Sequence, residues 1–510
     1  MLRVSRVAAP PLLAVSGVGS GAARTYAQLT RSSSGEKHTR WVPKTETTIA
    51  EVFENLTAEG PPLPPRFADL KREMCVDKDA MLHAWRGVLK ELEGATEEIA
   101  LRGNEMVMQV PYEDIQRGLS EEQLRTLKKT GVIIVKSGVP KEEALGWLQS
   151  IKDYVAANPG KVKGAPRDKI VFYELYNSKA QIAARTHPAL ITTQKYLLSL
   201  WHTSLPDTPV SVRTPLSYFD RLRIRGPGPS GVTLAPHIDG GGIERWEDPA
   251  YRSVWKRILE GGDAWRQYDP FDISPRLDAN EEMYKSPNPG CSILRPWQGW
   301  TAMSHTGPGE GTLRVLPMLP LATAYVILRP FFSLRPELAG GFNDAADIPL
   351  DADAWVLDLD SSAFPGSTPG KTQAITPVTH PHLRIDKTIV SLPRVEPGDQ
   401  VYWHTDVIHA VETEHNGTED SSVLYIPAVP LTERNAAYVR DQRDNFLRGL
   451  PSPDFPGGEG ESQFVGRAGV GDITSADGRS LLGFEPFEYS SYVNEGERKV
   501  VASANEILGF

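Results

Sequence analysis

The sequence predicts an α+β fold: a jelly-roll or sandwich core of short strands held between helical segments. Three observations predict it. From Tyr218 to Pro430, short apolar runs are broken repeatedly by Gly and Pro, the texture of an antiparallel sheet protein. Ahead of that region, Met81, Leu82, Trp85, Val88, Leu89 and Leu92 recur at helical spacing. Behind it, Ala436 to Leu447 returns to a helical pattern.

Each element follows in chain order. Met1 to Ser34 contains no Asp or Glu but carries Arg3, Arg6, Arg24 and Arg31 among many Ser and Ala. That composition predicts an organelle transit peptide over residues 1–26 and a mitochondrial matrix location. Arg24-Thr25-Tyr26-Ala27 resembles a matrix-protease site, cut after Tyr26. Residues 27–129 read as mainly helical, with a turn at Pro61 to Pro65. Ser120-Glu-Glu-Gln123 is a capping box that starts a helix. The sheet core is expected over 130–435. Gly131 to Val135 opens it as a β-branched strand. Pro140 to Ala157 is a helix with Ala144, Leu145, Leu148, Ile151 and Val155 on one side. Further strands are expected at Arg221 to Arg225, Thr312 to Leu316, Thr323 to Leu328, Thr388 to Leu392, Val401 to Trp403 and Ser422 to Ile426. Residues 244–288 form a polar, partly helical insertion. Its Trp246, Tyr251, Trp255, Trp265 and Tyr268 read better as core than as a lid or dimer surface. Residues 436–510 are a helical and irregular extension.

Composition removes several function classes. A formal charge of −10 argues against general binding to nucleic acid or to anionic membranes. The most apolar run, Leu313 to Phe332, is cut by Arg314, Pro317, Pro320, Arg329 and Pro330, so no transmembrane helix is expected. Cys75 and Cys291 lie too far apart in sequence for a metal-spaced pair. Gly366-Ser-Thr-Pro-Gly-Lys-Thr372 falls one residue short of a P-loop, and no Gly-x-Ser-x-Gly elbow is present.

The chemistry concentrates in two segments. In Pro236-His-Ile-Asp-Gly240, residues i and i+2 of a strand share a face, so His237 and Asp239 can converge on one ion. Non-haem Fe(II) needs two His and one carboxylate on one side of the metal, with the remaining positions open. The second segment begins with the turn signal Pro397-Gly-Asp399 and runs as a strand to His409. His237, Asp239 and His409 are the expected metal ligands.

This order (early His-x-Asp, Pro-Gly-Asp turn, strand, late His) resembles the iron(II)/2-oxoglutarate oxygenases built on a double-stranded β-helix. Gly311-Thr-Leu-Arg-Val-Leu-Pro317 and Trp297-Gln-Gly-Trp300 are similar to strands of their phytanoyl-CoA hydroxylase-like branch. Glu174 to Gln181, Ser304 to Thr312, Tyr402-Trp-His404 and Pro453-Asp-Phe-Pro456 resemble phrases of a domain-of-unknown-function family within that superfamily. The resemblance implies a double-stranded β-helix core, Fe(II), 2-oxoglutarate and O2 as cosubstrates, and a small-molecule substrate that it does not identify.

Two departures stand out. The two ligand segments are far apart, so large insertions must lie between them. The basic residue that such enzymes place ten to fourteen positions after the late His is replaced by Glu419, Asp420, Ser421, Ser422 and Val423. Arg314, on a strand face with Thr312, is the first candidate for pairing the distal carboxylate, with Arg434 and Arg223 as alternatives. His404-Thr-Asp406 is a second His-x-Asp that could join His409 in a local triad, although a supporting role suits His404 better. His305 could also approach the site, more simply in a structural role. A metal enzyme that uses no 2-oxoglutarate, or a non-catalytic carboxylate binder, remains open.

Overall fold

Helix starts and stops follow local chemistry. Ser120 and Gln123 form the expected reciprocal capping box on helix Glu121–Thr130. That helix ends at Gly131, whose φ of 73° is left-handed. A Cβ at Gly131 would also lie 2.7 Å from Val407 Cγ2, so glycine is required twice over. Asp77 caps the long helix Lys78–Arg102 by accepting from the backbone of Asp79 and Ala80. The buried stripe of that helix contains Trp85, which stacks on Phe332 with ring centroids 4.3 Å apart.

The chain is described here from a computed structural model over residues 40–41, 60–229, 234–284, 292–338, 345–488 and 494–510. The expected transit peptide and its cleavage phrase lie outside the described residues. Residues 40–510 form one compact unit, so the N-terminal helices pack into the same body as the sheets.

Thirteen strands build the two main sheets: β1 Met108–Pro111, β2 Val132–Lys136, β3 Gly164–Ala165, β4 Phe172–Tyr173, β5 Leu222–Arg225, β6 His237–Ile238, β7 Trp297–Ala302, β8 Leu313–Val315, β9 Gln373–Ala374, β10 Val390–Ser391, β11 Gln400–His404, β12 His409–Val411 and β13 Ser421–Tyr425. An eight-stranded sheet has the order β1-β2-β11-β7-β13-β5-β4-β3. A five-stranded sheet has the order β9-β6-β12-β8-β10. Pairing is antiparallel throughout except between β1 and β2. Smaller two-stranded sheets and helices surround them, so the molecule is of mixed α+β type.

Three expectations are corrected. Thr323 to Leu328 is not a strand. It is the second half of helix Leu319–Leu328, with every residue from Ala322 to Leu328 buried. A run buried on all sides carries no periodicity to separate helix from strand. The helix Lys141–Ala156 buries Ala144, Trp147, Ile151 and Tyr154, whereas Leu145 is exposed and Leu148 and Val155 are half-buried. Its true stripe uses aromatic residues where the aliphatic pattern suggested otherwise. Within the expected strand Thr388 to Leu392, only Val390–Ser391 pairs, following a short helix Ile385–Thr388. Trp246, Tyr251, Trp255, Trp265 and Tyr268 of the insertion are all buried, as their spacing suggested. No described helix is long and apolar enough to cross a membrane.

Candidate metal centre

The inner faces of the two sheets enclose a cavity of about 160 Å³. Strand alternation decides which side chains reach it. From the five-stranded sheet come His237, Leu313, His409 and Val411, with Asp239 just past the end of β6. From the eight-stranded sheet come Phe172, Arg223, Gln298, Trp300, Trp403, Val423 and Tyr425.

His237 and His409 are direct cross-strand partners on β6 and β12. Their ring centroids are 4.3 Å apart. His237 Nδ1 donates to the Ala235 carbonyl at 2.7 Å, and His409 Nδ1 donates to the Val407 carbonyl at 3.0 Å. A carbonyl can only accept, so both rings carry their proton on Nδ1 in the neutral form and leave Nε2 as the donor atom. Asp239 Oδ1 lies 3.3 Å from His237 Nε2, and its Oδ2 lies 3.7 Å from His409 Nε2. One ligand atom from each residue falls within 4.8 Å of the others, the only such cluster among the described residues. Two imidazoles and a carboxylate converging from one side fit a metal that keeps open positions toward the cavity.

The electrostatics agree with this arrangement. Burial works against the ionised Asp239, but His237, His409 and Arg295 outweigh it and hold the carboxyl far below its usual range. Burial also opposes the charged form of His237, yet the hydrogen bond and charge of Asp239 raise its pKa above the ordinary value. At His409, burial and the neighbouring His237 prevail, and its pKa falls to about 4.

A buried network holds the Asp239 loop in place. Gly240 and Gly241 adopt left-handed φ values of 82° and 79°. Arg245 Nη2 donates to the Asp239 carbonyl. Its Nη1 donates to the Tyr251 hydroxyl at 3.0 Å, and that hydroxyl donates to the Gly240 carbonyl at 2.8 Å. Arg245 also lies 3.6 Å from Asp406, which pairs with Arg276 at 2.5 Å. Asp406 sits on the turn between β11 and β12, so a single cluster joins the Asp239 loop to the strand that bears His409. Sequence patterns gave no sign of this network, because its arginines come from the insertion.

The other expected residues separate clearly. Arg223 lines the cavity and is buried. Its Nη2 donates to Ser421 Oγ at 3.2 Å, and its Nε has no hydrogen-bond partner. Arg314 and Thr312 do not line the cavity, because Leu313 between them takes the inward face. Arg314 pairs across β12 with Ala410, and its Nη2 donates to the Ile389 carbonyl at 2.9 Å. Thr312 is buried, with its amide donating to Glu412. Arg434 lies elsewhere, against the Ala279 carbonyl and Glu282. His404, the last residue of β11, is buried with both ring nitrogens engaged, and His305 faces Glu419. Sequence reasoning missed Asp220, Arg221 and Arg295, which also line the cavity. Alternating Arg221, Arg223 and Arg225 on one core strand was the available signal.

Fold and site together define an α+β protein with a two-histidine, one-carboxylate cluster in the cavity between its two main sheets. The chain belongs to the Gig2-like family, whose profile matches residues 61–484. It is 34% identical over 387 residues to the uncharacterized protein YbiU of Escherichia coli K12, covering 73% of this chain and 84% of the relative. It superposes on GlcNAc Inducible Gene 2 from Candida albicans with a TM-score of 0.78 and 31% identity, covering 89% of this chain and 97% of that one. The hypothetical protein JW0805 of Escherichia coli aligns with a TM-score of 0.69 and 29% identity, over 84% of this chain and all of that one.

Proposed function

We propose that this cavity is the active site of an iron(II)- and 2-oxoglutarate-dependent oxygenase acting on a small molecule, with the two sheets as the halves of a double-stranded β-helix. The observation that carries the reading is the cross-strand pair His237 and His409, each with Nδ1 tied to a carbonyl and Nε2 turned toward Asp239. These three side chains would hold the metal. Bound iron would supply O2 activation coupled to oxidative decarboxylation of 2-oxoglutarate.

The missing basic residue has a physical replacement. Val423, fourteen positions after His409, pairs directly with Arg223 on β5. The guanidinium has moved one strand sideways and still faces the cavity. Arg223 is therefore assigned to the distal carboxylate of 2-oxoglutarate, in a charge-assisted bond of the kind a buried arginine forms well. Trp300, Trp403 and Val423 keep the surroundings apolar, so water is displaced when the cavity fills.

The test is succinate formation from 2-oxoglutarate by anaerobically iron-loaded protein once O2 is admitted. A His237→Ala/Asp239→Ala variant should form none. Full turnover in that variant refutes the assignment. Iron binding without 2-oxoglutarate binding favours a metal enzyme of another type, a reading supported by the absence of a basic residue between Glu419 and Val423. The mitochondrial location belongs to the same proposal and rests on the acid-free stretch Met1 to Ser34. Mass spectrometry of the mature N-terminus tests it, and an intact Met1 in cytosol free of mitochondria refutes it.

A further inference from the structure

Gln298 on β7 and Trp403 on β11 are direct cross-strand partners, and both line the cavity. Directly opposed residues of an antiparallel pair share one face, so the two side chains are neighbours on the same stretch of wall. Trp403 packs against one of the expected ligands, with its ring centroid 5.3 Å from that of His409. Gln298 also borders a second, smaller cavity of about 10 Å³ whose wall includes Asp239 and Gly240. The pair therefore stands beside the His-Asp-His cluster.

Each of the two carries a donor that the protein does not use. Gln298 is 5% exposed and Trp403 4%. Gln298 Nε2 and Trp403 Nε1 are both buried without a hydrogen-bond partner. Trp85, Trp201, Trp255 and Trp265 also hold unpartnered indole N–H groups, but none of these lines the cavity. An amide buried without its acceptor destabilises a fold that a methionine of similar volume would not, unless a ligand supplies the acceptor. The indole nitrogen and the amide nitrogen can only donate, so their shared complement is an oxygen with two lone pairs. Both donors are uncharged, which suits a neutral carbonyl, whereas a carboxylate finds its stronger partner in an arginine. Trp300, two residues along β7 on the same face, adds an aromatic surface beside them.

We infer that Gln298 and Trp403 are a substrate-recognition pair, donating to one uncharged carbonyl oxygen of the primary substrate (a ketone, ester or amide) whose apolar part lies against Trp300. This rests on the reading of the cavity as an oxygenase active site, in which Arg223 and the His-Asp-His cluster take the cosubstrate and the metal. The recognised carbonyl then lies beside the metal-ligand cluster, which directs the reaction to carbons near that carbonyl.

Saturation-transfer NMR on the full chain, with diamagnetic Zn(II) in place of iron and 2-oxoglutarate present, tests the inference without relying on turnover. The probes are acetophenone and α-methylstyrene, which differ only in a carbonyl oxygen against a methylene group, together with benzoate. The quantity read is the ratio of the first two affinities, so solubility and general loss of packing cancel. Gln298→Met and Trp403→Phe should each lower the preference for acetophenone about tenfold, as loss of one hydrogen bond implies. α-Methylstyrene should bind Gln298→Met at least as well as wild type, a result that misfolding cannot mimic. 2-Oxoglutarate, whose own signal is recorded alongside, should stay bound in both variants. A preference that survives either substitution overturns the inference, and its survival in Gln298→Met leaves that amide to a buried water in the small cavity. Failure of acetophenone to bind wild type, or a benzoate affinity more sensitive to Gln298→Met than that of acetophenone, also overturns it. Loss of 2-oxoglutarate from either variant assigns the pair to the cosubstrate and overturns it too. Absence of 2-oxoglutarate binding in wild type, with the acetophenone preference still dependent on Gln298 and Trp403, removes the cosubstrate reading and leaves the pair standing.

Discussion

The chain carries two His-x-Asp segments, His237-Ile-Asp239 and His404-Thr-Asp406, and the fold uses them in opposite ways. At His404 every polar atom of the ring is spent. Nε2 donates to the Pro270 carbonyl at 3.0 Å, Nδ1 accepts from the Asp406 amide at 3.1 Å, and the ring stacks on Trp201 at 4.8 Å. Asp406 is engaged through Oδ2, which accepts from Arg276 and from the Tyr268 hydroxyl, while Arg245 lies 3.6 Å from Oδ1 as an ion-pair neighbour. At His237 one nitrogen is tied to backbone and the other is turned toward the cavity with Asp239. The motif alone is neutral between structure and chemistry. What separates the two copies is how many donor atoms the surrounding fold has left over.

The largest difference should appear when each aspartate is removed. Asp239→Ala should lower metal affinity by more than about 100-fold, beyond the 10–100-fold usual for residues that only support a ligand. Its unfolding midpoint in urea, measured without metal, should fall less than that of Asp406→Ala, because Asp239 lies at the cavity edge where water can reach the groups it leaves. Asp406→Ala strands two buried guanidiniums and should cost about 3–5 kcal/mol of stability. Metal titration and urea denaturation on both variants check this. A stable Asp406→Ala, or an Asp239→Ala that keeps its metal, erases the distinction.

Much of this was legible in the sequence, for identifiable reasons. His237, Asp239 and the strand before His409 follow a period of two, and a half-buried strand writes that period directly into its residues. The face of Arg314 was misread because nothing in Gly311 to Pro317 says which side of β8 turns inward; Leu313 takes that side opposite Val411, and Val315 sits opposite His409, both partners remote in sequence. The helix Leu319–Leu328 was hidden by uniform burial. The Arg245–Asp406–Arg276 cluster joins the insertion to the late strands, and such long-range ion pairs leave no local pattern. Arg223 was visible only as one alternative, until its pairing with Val423 placed it.

That pairing offers a sharper test of the cavity. Arg223→Val should weaken 2-oxoglutarate binding by about 1.5–3 kcal/mol, the worth of a hydrogen bond to a charged group. Adding Val423→Arg returns the guanidinium to the neighbouring strand and should restore most of the loss, as read by calorimetric titration. Failure of the exchange together with an unaffected single variant would move the cosubstrate contact to Arg221 or Arg295. The matching change under His404 is Arg245→Met, which leaves every ligand in place. It should reduce metal affinity about tenfold, because Arg245 reaches the centre through the Asp239 carbonyl and not through a ligand atom.

The smallest expected effect is a pH dependence, and it belongs to the closed copy of the motif. Burial lowers the pKa of His404 to about 4, with Asp406 opposing the shift and Arg276 adding to it. Between the ordinary value of 6.5 and about 4, the unfolded chain binds a proton at this position and the folded chain does not. Stability therefore rises with pH through that window, by about 1.4 kcal/mol per pH unit for one proton. His380 and His382 are also held low by burial, so the wild-type slope sums several groups. A His404→Gln variant isolates this one. Its stability difference from wild type should shrink by about 1–2 kcal/mol as pH falls from 6.5 to 5, because the neutral amide has no proton to refuse. Urea midpoints for both proteins across that range decide it. A difference that stays constant would mean that the His404 pocket accepts charge, and that the two His-x-Asp segments are less different than their geometry implies.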